Sequence, residues 1–127
     1  MEILNLQGGV TTPTITFDPF TGILNILGRS LPENSVEYYQ PLIKLLEEYY
    51  LDPNKETQIN IRLEYLNTSS TRCILDIFKK IERIHLSGAT SAIINWFYEE
   101  DDPALLETGE DYKQYIKIPF NIIPESE

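Results

Sequence analysis

The residues best suited to chemistry fall in one short run, Tyr65-Leu66-Asn67-Thr68-Ser69-Ser70-Thr71-Arg72. Positions 67–71 hold one carboxamide and four hydroxyls in succession. Hydroxyls accept phosphoryl groups, serve as nucleophiles beside a base, and cap helices. The run lies between a strand-like and a helix-like segment, so one of its residues must cap the helix. If capping is its whole role, its polar groups satisfy the first free amides and Arg72 is a solvated helix residue. The functional reading is a phosphoacceptor. A phosphate at a helix N-terminus meets free amides and the positive end of the helix dipole. It adds about −1.5 to −2 charges at one spot and can change docking without altering the fold. Arg72 can pair with that phosphate or with an acidic partner.

Nucleophilic catalysis requires more. His85 is the sole histidine. On a continuous helix it lies roughly 22 Å from Ser70 at 1.5 Å per residue, beyond hydrogen-bonding reach. Glu64 on the preceding strand is the nearest acidic candidate for a base. A small hydrolase or transferase using the Thr68–Ser70 hydroxyls is thus an alternative that needs a deep pocket, and an unmodified scaffold subunit is another. His85 lacks companion ligands for a metal, and Gly8-Gly9 lacks the lysine of a phosphate loop. Glu99-Glu100-Asp101-Asp102 lacks the spacing and glycine of a calcium loop and reads as a solvated helix start. No catalytic residue, metal or cofactor is expected. Cys73, the single cysteine, falls in a helical apolar pattern as a small core hydrophobe.

The elements that must position the run follow from periodicity. Thr14 to Phe17 and Ile23 to Leu27 are β-prone and flank the turn Asp18-Pro19-Phe20-Thr21-Gly22, which predicts a hairpin. Asn34 with Glu37 three residues on predicts a capped helix, with Val36, Tyr39, Leu42, Ile43, Leu46 and Tyr50 inward. Pro41 should kink it or break its first turn, and Asp52-Pro53 stops it. By the same pattern Tyr38 and Tyr49 face outward, where a partner can use them. Gln58 to Tyr65 alternates, with Ile59, Ile61, Leu63 and Tyr65 on one face. After a turn over Leu66 to Ser70, Ile74, Ile77, Phe78, Ile81 and Ile84 form the stripe of a second helix that Gly88 closes. Ser91 to Tyr98 is apolar on both faces, as in a central strand. Asp102-Pro103 opens a third helix with Leu106, Gly109 and Tyr112 toward the sheet. Ile116 to Ile123 is a last strand, held to an edge by Pro119. The order is β-β-α-β-α-β-α-β: an α/β single domain over residues 1–127, with a mostly parallel central sheet after an N-terminal β-hairpin.

Composition agrees with one soluble domain. The chain has 127 residues, 42% hydrophobic and 24% charged, enough for one core. Ten basic against twenty acidic residues give −10, the wrong sign for nucleic acid or an anionic membrane surface. No apolar run suits membrane insertion and the start lacks a secretion signal, so a cytoplasmic location is expected. Within this acidic chain the second helix is basic: Arg72, Lys79, Lys80 and Arg83 outnumber Asp76 and Glu82. Those four cations beside the Thr68 turn form a candidate partner-binding surface.

Several segments together resemble the SiaC-type regulators of bacterial partner-switching systems, relatives of the STAS-fold anti-sigma-factor antagonists. They are Leu31-Pro32-Glu33-Asn34-Ser35, Tyr65-Leu66-Asn67-Thr68-Ser69-Ser70, Asp76-Ile77-Phe78, Gly109-Glu110-Asp111 and Pro119-Phe120. Leu-Asn-Thr-Ser-Ser is the most specific. The resemblance implies a STAS-like fold and a non-catalytic regulator. It implies reversible phosphorylation of Thr68, with Asn67, Ser69 and Ser70 shaping the turn. It also implies a cognate protein kinase, a PP2C-like phosphatase, and an effector bound in the unphosphorylated state. In such systems that effector is a diguanylate cyclase whose cyclic-di-GMP synthesis the regulator promotes.

Overall fold

The computed structural model describes residues 1–126. The elements run β1 (Leu4–Leu6), β2 (Thr14–Asp18), β3 (Ile23–Ser30), α1 (Ser35–Tyr49), β4 (Glu56–Leu66), α2 (Thr68–Leu86), β5 (Ser91–Glu99), α3 (Pro103–Tyr115) and β6 (Phe120–Glu125). The six strands form one sheet in chain order. β1, β2 and β3 pair antiparallel; β3, β4, β5 and β6 pair parallel. The α/β architecture with its N-terminal hairpin matches the sequence reading, with one strand more. β1 spans three residues, too few to display an alternating pattern.

Three successive parallel crossovers advance across the sheet in one direction. Right-handed connections then put α1, α2 and α3 on the same face. Burial agrees: Phe17, Leu24, Ile26, Ile59, Ile61, Ile94 and Trp96 are sealed beneath the helices. Among the described residues no helix covers the opposite face. Its central row is Thr16, Asn25, Asn60, Asn95 and Asn121, in register across five strands. Each amide donates to its neighbour: Asn121 Nδ2 to Asn95 Oδ1 at 3.1 Å, Asn95 to Asn60 at 3.0 Å, and Asn60 to Asn25 at 2.9 Å. Parallel strands are ordinarily covered on both sides; here a polar ladder takes the place of the second layer. Beside it the Arg62 guanidinium lies 3.8 Å from the Phe97 ring centroid and pairs with Glu125. β5 is central as its composition implies, yet its outward Ile93, Asn95 and Phe97 are only half-buried.

Local signals held at the helix starts. Asn34 Oδ1 accepts from the Glu37 amide at 3.1 Å, while Glu37 accepts from the Asn34 amide group. Asp102 caps α3 by accepting from Leu105 N. Gly88 (φ +85°) follows α2 in the left-handed region. Helix α1 is not broken at Pro41 but continues through it as one element, Ser35–Tyr49, with the proline on its exposed side.

Three facing assignments change. The buried stripe of α1 is Tyr39, Leu42, Leu46 and Tyr49, so Tyr49 belongs to the core. Its phenol meets Thr57 Oγ1 at 2.7 Å and accepts from Asn54 N, and Tyr50 and Val36 point outward. Tyr38 is half-buried and donates to the Pro13 carbonyl at 2.6 Å. In α3, Leu105 rather than Leu106 is buried with Gly109 and Tyr112. A Cβ at Gly109 would stand 2.5 Å from Trp96 Cδ1; the missing side chain lets helix and indole touch. Tyr65 lies past the end of the buried row and is exposed.

Candidate functional site

Strand β4 passes into α2 with a single residue between them. Asn67 is that residue and the N-cap; its Oδ1 accepts from Ser70 N at 2.9 Å. Its own amide donates to the Ser30 carbonyl at 2.9 Å, which fixes the junction to the end of β3. The predicted five-residue turn is therefore shorter, and Thr68, Ser69 and Ser70 form the first turn of the helix.

The four hydroxyls have different surroundings. Ser70 is sealed, with Oγ 2.8 Å from Ser30 Oγ and 3.2 Å from Ser35 Oγ. Ser69 Oγ is 2.6 Å from Ser35 Oγ and donates to Asn67 Oδ1 at 3.3 Å. Thr71 Oγ1 donates back to the Asn67 carbonyl at 3.1 Å. Thr68 is exposed, and its hydroxyl meets no partner among the described residues. The first turn of α2 carries no acidic side chain, so no carboxylate compensates the positive helix end.

The side of this junction is pinned by buried hydroxyls. Ser30 Oγ lies 2.6 Å from the Tyr39 phenol, whose pKa burial pushes well above the ordinary tyrosine value. Tyr112 of α3 donates to the Thr71 carbonyl at 2.7 Å, and burial raises its pKa in the same direction. Ser30, Ser35, Tyr39 and Tyr112 thus belong to the site, although sequence reasoning placed none of them beside Thr68. All four lie 29 to 44 residues from Thr68 in the chain, with separations of 40 for Ser30–Ser70 and 41 for Tyr112–Thr71, and no local spacing announces such pairs.

Beside the turn, α1 and α2 enclose a cavity of about 300 Å³ lined by Val36, Tyr39, Ile43, Ser69, Arg72 and Cys73, among others. Its walls are mainly apolar. Cys73 is half-buried, not sealed; burial and then the Asp76 charge push its thiol pKa upward, which keeps it protonated and weakly nucleophilic. The four basic residues of α2 separate. Arg72 lines this cavity. Lys80 and Arg83 line a smaller one of about 90 Å³ with Glu47 and Tyr50 at the far end of α1. Lys79 pairs with Glu82 at 3.3 Å and donates to the Tyr115 carbonyl at 3.2 Å, tying α2 to α3.

Among the described residues, no carboxylate or imidazole bonds to the hydroxyl cluster. Its hydroxyls bond to one another, to Asn67 and to Tyr39. Glu64 stands on the exposed face of β4, opposite the inward Leu63. His85 accepts from the Ala92 amide at 3.0 Å through Nδ1, a helix-to-strand tie far along α2.

The chain is similar to known proteins along nearly its whole length. A sequence model described as SiaC family regulatory phosphoprotein matches residues 6–125. An uncharacterized protein of Pseudomonas aeruginosa (strain UCBPP-PA14) is 32% identical over 122 residues, 96% of each chain. The crystal structure of apo-SiaC from P. aeruginosa superposes with a TM-score of 0.89 at 32% identity, over 97% of this chain and 99% of that one. A similar match, TM-score 0.89 at 31% identity over 96% and 99% of the two chains, comes from a crystal structure of the P. aeruginosa diguanylate cyclase SiaD in complex with its activator SiaC.

Proposed function

The chain belongs to the SiaC family of regulatory phosphoproteins, and on that premise we propose that it is a non-catalytic switch whose phosphoacceptor is Thr68. One observation carries this reading: of four adjacent hydroxyls, three are engaged and the Thr68 hydroxyl alone stands exposed without a partner among the described residues. A kinase can reach it without unfolding the turn. The product phosphate would sit on the first residue of a 19-residue helix with no acidic group in its first turn, where the dipole and free amides favour it. Asn67, Ser69 and Ser70 hold the turn in place.

Unmodified, the Thr68 turn and the adjoining α1–α2 groove dock the effector. The related SiaC in complex with SiaD supports a diguanylate cyclase as that effector. Arg72, in the groove wall, is the cation best placed to meet an acidic group of the partner. Lys80 and Arg83 extend the surface along α2, and Lys79, committed to α3, contributes less. Phosphate on Thr68 sets a double negative charge beside the groove and repels that partner. A PP2C-like phosphatase restores binding, and a dedicated kinase removes it.

The test is a calorimetric titration of P. aeruginosa SiaD with Thr68→Ala and Thr68→Glu variants, beside mass-spectrometric mapping of phosphate in protein from the native cell. Loss of about 3 kcal/mol corresponds to more than a hundredfold weaker binding. Thr68→Ala is expected to bind and Thr68→Glu to bind far more weakly, with phosphate mapped to Thr68. Equal affinities together with an unmodified Thr68 would remove the switch.

A further inference from the structure

The hydroxyls behind Thr68 form one continuous chain, and its direction follows from two of its bonds, Ser30 to Ser70 and Ser69 to Asn67. Asn67 Oδ1 can only accept, so Ser69 spends its one proton there. While Ser69 donates to Asn67, Ser35, 2.6 Å from Ser69 Oγ, is the donor of a pair in which either hydroxyl can serve. Ser70, 3.2 Å from Ser35 Oγ, donates to Ser35 in turn. Ser30 donates to Ser70 at 2.8 Å, and the Tyr39 phenol supplies the proton for the 2.6 Å contact with Ser30. The order is Tyr39 to Ser30 to Ser70 to Ser35 to Ser69 to Asn67. Every O–H dipole points its positive end along the chain toward the residue next to Thr68. Aligned hydrogen bonds polarise one another, and a charged acceptor strengthens the bonds that lead to it.

The chain also crosses between elements. Ser69 and Ser70 belong to α2, Ser35 and Tyr39 to α1, and Ser30 to β3. Ser69 and Tyr39, near its two ends, both line the α1–α2 cavity. We infer that Ser35, Ser30 and Tyr39 are positioning residues through which charge on Thr68 is felt in α1: a phosphate there tightens the chain and clamps the first turn of α1 against α2, holding the groove wall rigid. This rests on Thr68 being the phosphoacceptor, and adds a second way for phosphate to oppose docking besides repulsion. Neither Ser35 nor Tyr39 needs to touch the phosphate; they act through Ser69.

Hydrogen exchange on the isolated protein tests the coupling, with phosphothreonine installed at position 68 during synthesis so that no kinase is needed. The amides of Tyr38, Tyr39 and Gln40 are closed by the first turn of α1. In the parent, phosphate is expected to slow their exchange by about threefold or more, since tightening a chain of bonds raises the cost of local opening. In Ser35→Ala the slowing should vanish, and in Ser35→Thr, which keeps the hydroxyl, it should return. Ser69→Ala, at an exposed position, breaks the chain on the α2 side and gives the same answer should Ser35→Ala fold poorly. The comparison is a difference of differences, so a variant that merely loosens α1 in both states does not mimic the result. Equal slowing in parent and severed chains, or no slowing in the parent, overturns the inference. Either result leaves the phosphoacceptor assignment standing, because that is read from native-cell mapping and the binding titration.

Discussion

Gly109→Ala sets two physical effects against each other, and the structure decides between them. In the interior of α3 the substitution removes a poor helix former, a gain of about 1 kcal/mol. The new Cβ, however, would lie 2.5 Å from Trp96 Cδ1 and 2.7 Å from Nε1, about 1 Å inside ordinary carbon–carbon contact. The indole has nowhere to go. It is buried, its Nε1 donates to the Leu105 carbonyl at 3.0 Å, and its ring packs edge-on against Tyr112 at 5.4 Å. Overpacking of this kind costs about 1–3 kcal/mol, and sliding the indole away gives up a buried hydrogen bond worth about 1 kcal/mol. The expected net is a destabilisation of about 2 kcal/mol, which for a chain of this size lowers the melting temperature by roughly 8 °C. Urea unfolding followed by the fluorescence of Trp96, the single tryptophan, reads it directly. Glu110→Ala, on the exposed side of the same helix, is the control and should change little. If Gly109→Ala proves as stable as the parent or more so, the close approach of α3 to the sheet is wrong.

The uncovered face makes a second expectation. Asn60 donates to Asn25 and accepts from Asn95 at 2.9 and 3.0 Å, whereas Asn121 at the sheet edge donates once. Asn60→Ala should cost about 1–2 kcal/mol and Asn121→Ala less than about 0.5 kcal/mol; equal urea midpoints for the two would deny the ladder its role. Alkaline pH gives a third. Tyr39 and Tyr112 have folded pKa values raised above the ordinary value of 10.0, chiefly by burial. A neutral phenol is therefore favoured by the fold. Its contribution is complete below the ordinary value and is lost as the pH rises from there toward the folded values. Urea midpoints should fall above about pH 10, and less steeply in Tyr39→Phe; an identical fall in both would place the sensitive group elsewhere.

Patterns within a single element were legible in the sequence, and pairings between elements were not. Asn34 and Glu37, Asp102 and Pro103, and the five apolar residues of α2 announce themselves because their partners lie within four residues. The α1 stripe misled where two tyrosines adjoin. Tyr49 and Tyr50 have the same chemistry, and Tyr49 won the core because its phenol bonds to Thr57 Oγ1 and accepts from Asn54 N, facts of β4 and the loop before it rather than of α1. The same limit hid Ser30, Ser35 and Tyr39: nothing near Thr68 in the chain points to them. The asparagine ladder did leave a trace. Leu24-Asn25-Ile26, Ile59-Asn60-Ile61, Ile94-Asn95-Trp96 and Phe120-Asn121-Ile122 each set one asparagine between two apolar residues in a strand. Four repeats of one polar type at outward positions imply that those positions share a row, and hence the register of the sheet.

The position of a charge matters more here than the total. The chain already carries −10, and at physiological salt a charge is screened over about 8 Å, so most of that excess is not felt at Thr68. The parallel pairing of β4 and β5 brings both of their C-terminal ends to one edge of the sheet. One junction there is Asn67–Thr68, neutral and backed by the positive end of α2; the other is the acidic run Glu99-Glu100-Asp101-Asp102, whose last member caps α3. Without phosphate, this edge offers a partner a neutral turn, the Arg72 cation and an apolar groove, set apart from the acidic run. A phosphate on Thr68 would turn the neutral junction anionic as well and offset Arg72, leaving an anionic partner no favourable approach along that edge. A switch of this kind would need no movement of the sheet, because the helix dipole that would accommodate a phosphate and the groove that it would guard are built side by side.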